Sequence, residues 1–409
     1  MGRTMSREMK SLGLVGLLLL TALSAAQSGW SRYRLLVRTP AEAQRLADSR
    51  LGLFSEEIVI GATDVIVGPG QGAELWMVGL PFSRISALPA ANAWAGQAGQ
   101  GDGDYRSQYL TMDGLMSHYE ALRAQYPEMI SRRQIGVSRN GEAIWAYLIF
   151  AQAEQEVPVP PKNVVLIGGT HAREWISPSV TMHIATYLAE TLAVAETAFS
   201  TKFVDKIGVW VIPDVNPDGY RFSWTNNRYW RKNRRNNGGG SYGVDLNRNY
   251  AKGWGGAGSS SNPSSDTYRG PSAFSEPELT GLRDLSLSLP NVIASIDFHS
   301  YGQKILWPWS YTTSPPPDAS WLNQVGTAMR SEILLHGLLA YQQGQASTTL
   351  YVASGTSKDW FYDVFGTPSF TIELRDTGQY GFLLPENQIA PTQEEGWWAF
   401  VGLINKIVP

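Results

Sequence analysis

The chain has 409 residues, of which 43% are hydrophobic and 17% are charged, and this mixture excludes a disordered or low-complexity protein. Its length predicts two or three domains, or one large domain and one small. The 33 Lys and Arg residues against 36 Asp and Glu residues give a formal charge of −3, which excludes the basic excess of a nucleic-acid-binding protein, and the absence of cysteine excludes disulfides and thiolate chemistry.

Residues 1–26 are typical of a secretory signal peptide. Three basic residues precede the apolar run 12–23, and small residues then provide a cleavage site after Ala26. The run is short for a membrane span, although an uncleaved anchor is the alternative. We therefore expect a secreted protein, extracellular or periplasmic, without membrane association after cleavage.

Residues 27–89 predict a small α+β unit. A strand is expected at 31–37, a helix at 40–51 with Thr39 as its N-cap, and further strands at 57–60, 64–67 and 74–78. The small, polar, Gly-rich residues 90–104 predict a linker and a domain boundary, and they include no Lys or Arg.

Helical and strand patterns alternate over residues 105–409, which predicts one α/β domain. Several of the strands are apolar on both faces, as in a central sheet covered by helices. The predicted strands are 144–150, 164–167, 209–212, 292–298 and 370–374. The predicted helices are 112–126, 178–193, 276–289, 320–336 and 394–406.

Three polar residues follow buried strands and are candidates for a metal site. His171 and Glu174, three residues apart, come just after the strand 164–167, where α/β folds place ligands. His299 closes the strand 292–298 and is the best third candidate. Two His and one Glu would leave an open position for water on a catalytic zinc. A satisfied loop histidine and a helix-start carboxylate are the alternatives for His171 and Glu174.

Asp245 is a candidate to support this site, because it could accept the free ring N–H of a metal-bound histidine. The other histidines, His118, His183 and His336, lie in helical patterns and are expected to be packed or solvated.

Seven ordered segments give the chain a family resemblance. They are HAREWISPS, NPDGY, RYWRKNRR, GVDLNRNY, DFHSYGQ, LYVASGTSKDW and TIELRDTGQYGFLLP. Over roughly residues 105–409, the chain resembles zinc carboxypeptidases of the pancreatic A/B type. The resemblance implies a mixed eight-stranded twisted sheet between helices, and it implies that 27–89 is a short inhibitory propeptide of a zymogen. A chaperone-like or accessory domain is the alternative for 27–104.

The resemblance also assigns roles to individual residues. It implies that one Zn²⁺ is bound by His171, Glu174 and His299. It implies Glu373 as the general base and Arg231 as the group that polarises the scissile carbonyl. The terminal carboxylate would be held by Asn247, Arg248 and Tyr351, and the site and the next subsite inward would be lined by Arg173 and Tyr301. We therefore expect a monomeric carboxypeptidase that hydrolyses the last peptide bond of peptides and proteins with a free C-terminus.

The general chemistry of amide hydrolysis agrees with these roles. Zinc can lower the pKa of bound water to about 7. A carboxylate such as Glu373 can take the proton of that water and pass it to the leaving amine. An Arg guanidinium pairs bidentately with a carboxylate, which suits Arg248 to a free C-terminus.

Lys358 departs from the family pattern at the bottom of the specificity pocket. In the family, an apolar residue at this position accompanies apolar substrates, and Asp accompanies Lys or Arg. A buried ammonium needs an anionic partner, so Lys358 predicts a preference for an acidic C-terminal residue, with Ser310 and Thr371 on the pocket walls. If Lys358 turns away or pairs with a protein carboxylate, apolar residues are the alternative.

Three other functions are considered. An aspartoacylase-like deacylase would share a His/Glu/His zinc site, but the NPDG, LNRN and ELRDTG segments argue against it. A murein-peptide hydrolase is excluded less firmly. A non-catalytic binding protein would be expected to lack Glu373 or a zinc ligand, and all are present.

Overall fold

The computed structural model describes residues 29–54, 58, 60–90, 104–151, 160–194 and 197–408. The predicted signal peptide, residues 91–103 of the predicted linker and parts of the predicted strand 57–60 lie outside the described residues. No helix among the described residues is long and apolar enough to cross a membrane.

The amino-terminal unit is an antiparallel four-stranded sheet with two helices. Its strands are β1 (Ser31–Val37), β2 (Gly52–Leu53), β3 (Gly61–Val67) and β4 (Phe82–Ala87), and its helices are α1 (Pro40–Ala47) and α2 (Gly72–Met77). The strand order is β2-β3-β1-β4. The hydroxyl of Thr39 accepts a hydrogen bond from the amide of Glu42, so the predicted N-cap of α1 is confirmed, although the helix ends at Ala47.

The predicted strand at 74–78 is wrong, because these residues belong to α2 and the turn after it. Leu75 and Val78 are buried, whereas Met77 is 71% exposed. Burial at a spacing of three residues is the helical period, and a strand would have placed Leu75 and Met77 on the same face. The short apolar run was therefore ambiguous between the two structures.

The large unit contains ten strands and eight helices among the described residues. The strands are β5 (Ile130–Val137), β6 (Ala143–Ile149), β7 (Lys162–Ile167), β8 (Ile207–Ile212), β9 (Asn236–Gly238), β10 (Ser241–Tyr242), β11 (Val292–Ser300), β12 (Lys304–Trp307), β13 (Gln342–Gln345) and β14 (Ser369–Leu374). The helices are α3 (Met112–Gln125), α4 (Ile176–Val194), α5 (Pro217–Thr225), α6 (Pro277–Ser288), α7 (Ala319–Leu335), α8 (Ala346–Thr349), α9 (Ser357–Phe365) and α10 (Ile389–Ile407).

Eight of these strands form one mixed sheet in the order β13-β12-β14-β11-β7-β8-β6-β5. The four central strands β14, β11, β7 and β8 are parallel to one another, whereas β12 and β6, which flank them, run antiparallel to β14 and β8. Strand residues alternate between two cores: Val164 and Leu166 pack with α3, α4, α7 and α10, and Val165 and Ile167 pack with α6 and α9. The prediction of a mixed eight-stranded sheet between helices is confirmed.

The first residues of the large unit are bound to its last helix, α10. The side-chain amide of Gln393 donates to the carbonyl of Tyr105 at 3.0 Å. Arg106 Nη2 lies 2.5 Å from Glu394 Oε1. These contacts fix the chain at the point where it enters the α/β fold.

Candidate active site

The metal candidates come together at the carboxyl ends of β7 and β11. After β7 the chain turns through Gly169, whose φ of +70° favours glycine. A side chain would also not fit here, because a Cβ would lie 2.2 Å from the Asp214 carboxylate. This turn places His171 and Glu174 before α4, opposite His299 on β11. One ligand atom from each of the three lies within 4.8 Å of the others, and all three residues are buried.

The two imidazoles present the same nitrogen to the centre of the group. Nε2 of His171 lies 3.2 Å from Asp245 Oδ1, and Nε2 of His299 lies 3.1 Å from Asp297 Oδ2. Each Nε2 thus has a carboxylate that can accept its proton, which would leave the Nδ1 lone pair of each ring for a bound metal. The two Nδ1 atoms are 3.0 Å apart and lie 2.7 and 3.1 Å from the Glu174 oxygens.

Two nitrogen lone pairs and a carboxylate facing one another fit a cation, and this donor set suits zinc. Burial alone would raise the pKa of Glu174, but the adjacent His171 and His299 outweigh this and hold the pKa well below its ordinary value. Glu174 is therefore ionised, as a metal ligand must be. The residues present thus fit one Zn²⁺.

Arg231 lies beside this group, as its proposed role requires. Its Nη2 and Nε donate to Asp245 Oδ2 at 2.9 and 3.2 Å, and its Nη1 is 3.2 Å from His171 Nδ1. Burial would raise the pKa of Asp245, but the positive charges of Arg231 and Arg248 outweigh it and hold this pKa well below its ordinary value. The ionised Asp245 therefore orients both an imidazole and a guanidinium.

Glu373 lies on β14 directly opposite His299 on β11. Paired residues of parallel strands project from the same face of the sheet, so the Glu373 carboxylate shares the face of the metal group. The side chain is 4% exposed. This places the predicted base next to a predicted ligand.

The three residues predicted to hold a terminal carboxylate also lie together. Asp245 begins the short turn Leu246–Arg248 and accepts a hydrogen bond from the amide of Asn247. Arg248 Nη2 donates to the hydroxyl of Tyr351 at 2.7 Å, and its Nε donates to the carbonyl of Gly258. Arg248 and Tyr351 line a cavity of about 450 Å³ whose opposite wall comes from α1 of the amino-terminal unit.

Lys358 lies in the first turn of α9 and is 5% exposed, so its side chain does not turn to solvent. Its ammonium Nζ is 3.4 Å from the Thr371 hydroxyl. Within the described part of the chain, no carboxylate forms an ion pair with it. Burial lowers the pKa of Lys358 below its ordinary value, against the opposing charges of Asp359, Glu373 and Asp297. Ser310 Oγ accepts a hydrogen bond from Thr356 nearby.

Arg173 and Tyr301 lie where the two units meet. Arg173 Nη1 is 3.3 Å from Asp266 Oδ2, and its guanidinium stacks 4.0 Å from the ring centre of Phe382. The Tyr301 hydroxyl donates to the backbone carbonyl of Phe54, in the amino-terminal unit, at 2.9 Å. Phe54 thus covers Tyr301, and its ring also packs beside Phe382, on which Arg173 stacks.

Further contacts hold the amino-terminal unit on this side of the large unit. Ser260 Oγ donates to Asp48 Oδ1 at 2.5 Å, and Asn262 Nδ2 donates to the Asp48 carbonyl at 2.7 Å. Ser265 Oγ donates to the carbonyl of Ala47. The end of α1 is therefore bound to the loop that follows the Asn247–Arg248 turn.

The three remaining histidines stay outside the metal group, as expected. His118 bonds to Thr186, His183 packs beside Tyr105, and His336 stacks on Trp398.

Sequence reasoning missed Asp297, although a signal was present: it precedes His299 by two residues in a predicted strand, and this spacing puts both side chains on one face.

Comparison with known proteins gives a consistent result. The profile of the family described as "Zinc carboxypeptidase" matches residues 115–399. Carboxypeptidase B of Astacus astacus is 37% identical over 294 residues, which cover 71% of this chain and 93% of that protein. Carboxypeptidase A1 of Sus scrofa is 38% identical over 298 residues, which cover 72% of this chain and 69% of that protein.

Among solved structures, that of thrombin activatable fibrinolysis inhibitor matches with a TM-score of 0.78 and 30% identity. The match covers 93% of this chain and 99% of that one, so it includes much of the amino-terminal unit.

Proposed function

Because this chain belongs to the zinc carboxypeptidase family and is a metallocarboxypeptidase of the A/B type, we propose that it removes acidic residues from the carboxyl end of peptides and that it is secreted as a zymogen. The observation that carries the substrate preference is the buried Lys358 ammonium without a carboxylate partner. The enzyme acts on peptide or protein substrates, as its family does.

We assign the steps of hydrolysis to five side chains. His171, Glu174 and His299 would hold one Zn²⁺, which would supply a Lewis acid and lower the pKa of a bound water. Glu373 accepts the proton of the attacking water and returns it to the leaving amine. Arg231 places positive charge where the carbonyl oxygen becomes negative, and the loss of one such donor costs about 3 kcal/mol of transition-state stabilisation.

Exopeptidase action requires recognition of a free terminal carboxylate. We assign this role to Arg248, with Asn247 and Tyr351, because Asn247 contacts His299 and because Arg248 and Tyr351 line an accessible cavity. Arg173 and Tyr301 would contact the substrate further inward. Tyr301 lies beneath Phe54 in this structure, which supports the view that the amino-terminal unit covers this part of the substrate path.

The acidic preference follows from the cost of burying an unpaired charge. An ammonium in an apolar interior is costly unless an anion pairs with it. A substrate Glu or Asp side chain would supply that anion, with Thr371 as a further hydrogen-bond partner. A substrate Lys or Arg would meet a like charge, which disfavours that class of substrate.

The preference is tested by kcat/KM for blocked dipeptides that differ only in a terminal Glu, Phe, Leu or Arg. We expect Glu to be preferred at least tenfold, and a chelator to abolish all turnover until zinc is restored. Lys358→Ile should reverse the order in favour of Phe and Leu. If Phe or Leu is preferred tenfold over Glu and Lys358→Ile leaves that order intact, the acidic preference is wrong.

We further propose that residues 1–26 are a cleaved signal, 27–89 an inhibitory propeptide, 90–104 a linker and 105–409 a monomeric catalytic domain. The contacts of Phe54 and Asp48 beside the cleft support inhibition. Because 90–104 contain no Lys or Arg, a trypsin-like protease has no cleavage site within the linker. Sequencing the amino terminus of the secreted protein before and after activation tests these boundaries.

A further inference from the structure

A second buried carboxylate, Asp297, faces the proposed metal group from the His299 side. Asp297 precedes His299 by two residues on β11, so both side chains leave the same face of the strand. Its Oδ2 lies 3.1 Å from His299 Nε2, close to the 3.2 Å between Asp245 and His171. Asp297 is 2% exposed.

Two hydroxyl groups hold the Asp297 carboxylate in this position. The Thr170 hydroxyl donates to Oδ1 at 2.9 Å, and the Ser357 hydroxyl donates to Oδ2 at 2.5 Å. A buried carboxylate with a hydrogen bond on each oxygen has little rotational freedom. Thr170 is the neighbour of His171 in the chain, and Ser357 is the neighbour of Lys358. The carboxylate is therefore anchored by the residues adjoining another metal ligand and the specificity pocket.

A second polar atom, Nδ2 of Asn247, also faces His299 Nε2, at 3.4 Å. The carbonyl oxygen of that amide accepts a hydrogen bond from the Ser357 backbone, so the amide nitrogen points to the imidazole. If Nε2 carries a proton, it can donate to Asp297; if it carries a lone pair, it can accept from Asn247. The first arrangement is favoured, because Asp297 is nearer and negatively charged and hydrogen bonds to charged groups are the stronger ones.

We propose that Asp297 is a positioning residue for the zinc site. It accepts the Nε2–H of His299 and so keeps the Nδ1 lone pair directed at the metal, as Asp245 does for His171. The site then contains two carboxylate–histidine pairs, one on each side of the metal. This inference rests on the proposed role of His299 as a ligand.

The test measures zinc binding directly. Asp297→Asn keeps the volume and removes the charge, and the loss of such an outer partner typically weakens metal binding 10–100-fold. We expect a zinc Kd raised by about that factor, determined by competition with a chromophoric chelator, and an altered visible absorption spectrum of the cobalt-substituted protein. A Kd within threefold of wild type would overturn the proposal.

Asp218→Asn is the matched control. Asp218 is equally buried and also accepts a hydrogen bond on each oxygen, from Ser138 and from the amide of Asn140, but contacts no histidine. We expect its zinc Kd to be unchanged. If this control weakens zinc binding as much as Asp297→Asn does, the effect comes from folding and the proposal fails.

Two more variants keep the result interpretable. If Asp297→Asn does not fold, Ser357→Ala removes one anchor of Asp297 and should accelerate zinc release to a chelator several-fold; an unchanged release rate would overturn the proposal. His299→Ala tests the underlying assignment. If His299→Ala retains wild-type zinc affinity, the proposed ligand set is wrong. If His299→Ala loses zinc but Asp297→Asn binds zinc normally, only the role of Asp297 is contradicted.

Discussion

Glu373 and His299 occupy paired positions on two adjacent parallel strands, β14 and β11, and Thr371 and Asp297 pair in the same way two residues earlier. The side chains of all four residues therefore leave one face of the sheet at separations fixed by the hydrogen-bonded ladder. Groups built on rigid strands are held more precisely than groups on loops. The proposed catalysis depends on charges that are in place before the substrate arrives.

Replacing Glu373 should separate proton transfer from metal binding. Glu373→Gln keeps the size of the side chain but cannot accept the proton, and the loss of a general base typically costs 10²–10⁴-fold in rate. We expect kcat to fall by about that factor with one zinc retained per chain, measured by steady-state kinetics and metal analysis. Glu332→Gln on α7 is the control and should keep wild-type kcat. Turnover of Glu373→Gln within tenfold of wild type would contradict the assignment.

At the scale of elements, the sequence patterns identify the strands that are buried on both faces of the sheet. The predicted strands correspond to β6, β7, β8, β11 and β14, whose apolar residues pack against helices on the two faces of the sheet. The patterns missed β5, β12 and β13. The two outermost strands carry exposed or polar residues, such as the QQGQ of β13, because an edge strand need not be apolar. The count of eight strands was available only from the family resemblance.

The same distinction applies to the site. The metal group could be predicted because its residues sit in short motifs at strand ends. The contacts of Tyr301 with Phe54 and of Arg173 with Asp266 could not, because they depend on how separate segments dock. No local pattern encodes such a docking geometry.

The attachment of α10 to the start of the large unit should depend on pH. Interactions with His183, whose Nε2 is 3.5 Å away, and with Arg106 lower the pKa of Glu394 to about 2, against an ordinary value near 4.3. A lowered pKa means that this carboxylate stabilises the fold above its ordinary pKa, and that the stabilisation is lost as pH falls towards 2. Glu394→Gln should therefore lower Tm at pH 5, and the difference from wild type should shrink as pH decreases to about 2.

Thermal unfolding followed by circular dichroism at several pH values measures this difference. Glu128→Gln removes one negative charge at an exposed position and should show no such trend. A Tm difference for Glu394→Gln that stays constant from pH 5 to pH 2 would contradict the prediction.

At the scale of the whole molecule, two groups of contacts stand out among those that bind the described residues of the amino-terminal unit to the large unit. Phe54 and Ile66 join Tyr229, Tyr301 and Phe382 in one small apolar cluster, and the end of α1 bonds to the loop 260–265. Between these contacts, the cavity beside Arg248 and Tyr351 remains. A small substrate and a large one should therefore be obstructed to different degrees.

Weakening the first contact should release the proposed inhibition. Phe→Ala in a packed cluster typically costs 3–5 kcal/mol, and part of that cost here falls on docking. We expect Phe54→Ala to raise kcat/KM of the full-length protein several-fold, towards that of residues 105–409, and the gain should be larger for long peptides than for dipeptides. Met77→Ala, at an exposed apolar residue of the same unit, should have no effect. Equal rates for full-length protein and residues 105–409 would argue against inhibition altogether.

The bonds from Gln393 to Tyr105 and from Glu394 to Arg106 have a consequence for maturation. Because α10 binds the chain at Tyr105 and Arg106, a protease that cuts anywhere before Asp104 leaves those bonds intact. Mature molecules with ragged amino termini should then be interchangeable, with the same kcat and the same Tm. Trimming past Arg106 should instead lower Tm, and mass spectrometry of the processed enzyme paired with calorimetry would reveal this boundary. For the proposed zymogen, the exact position of the activating cut should therefore matter little, provided that it falls on the amino-terminal side of Asp104.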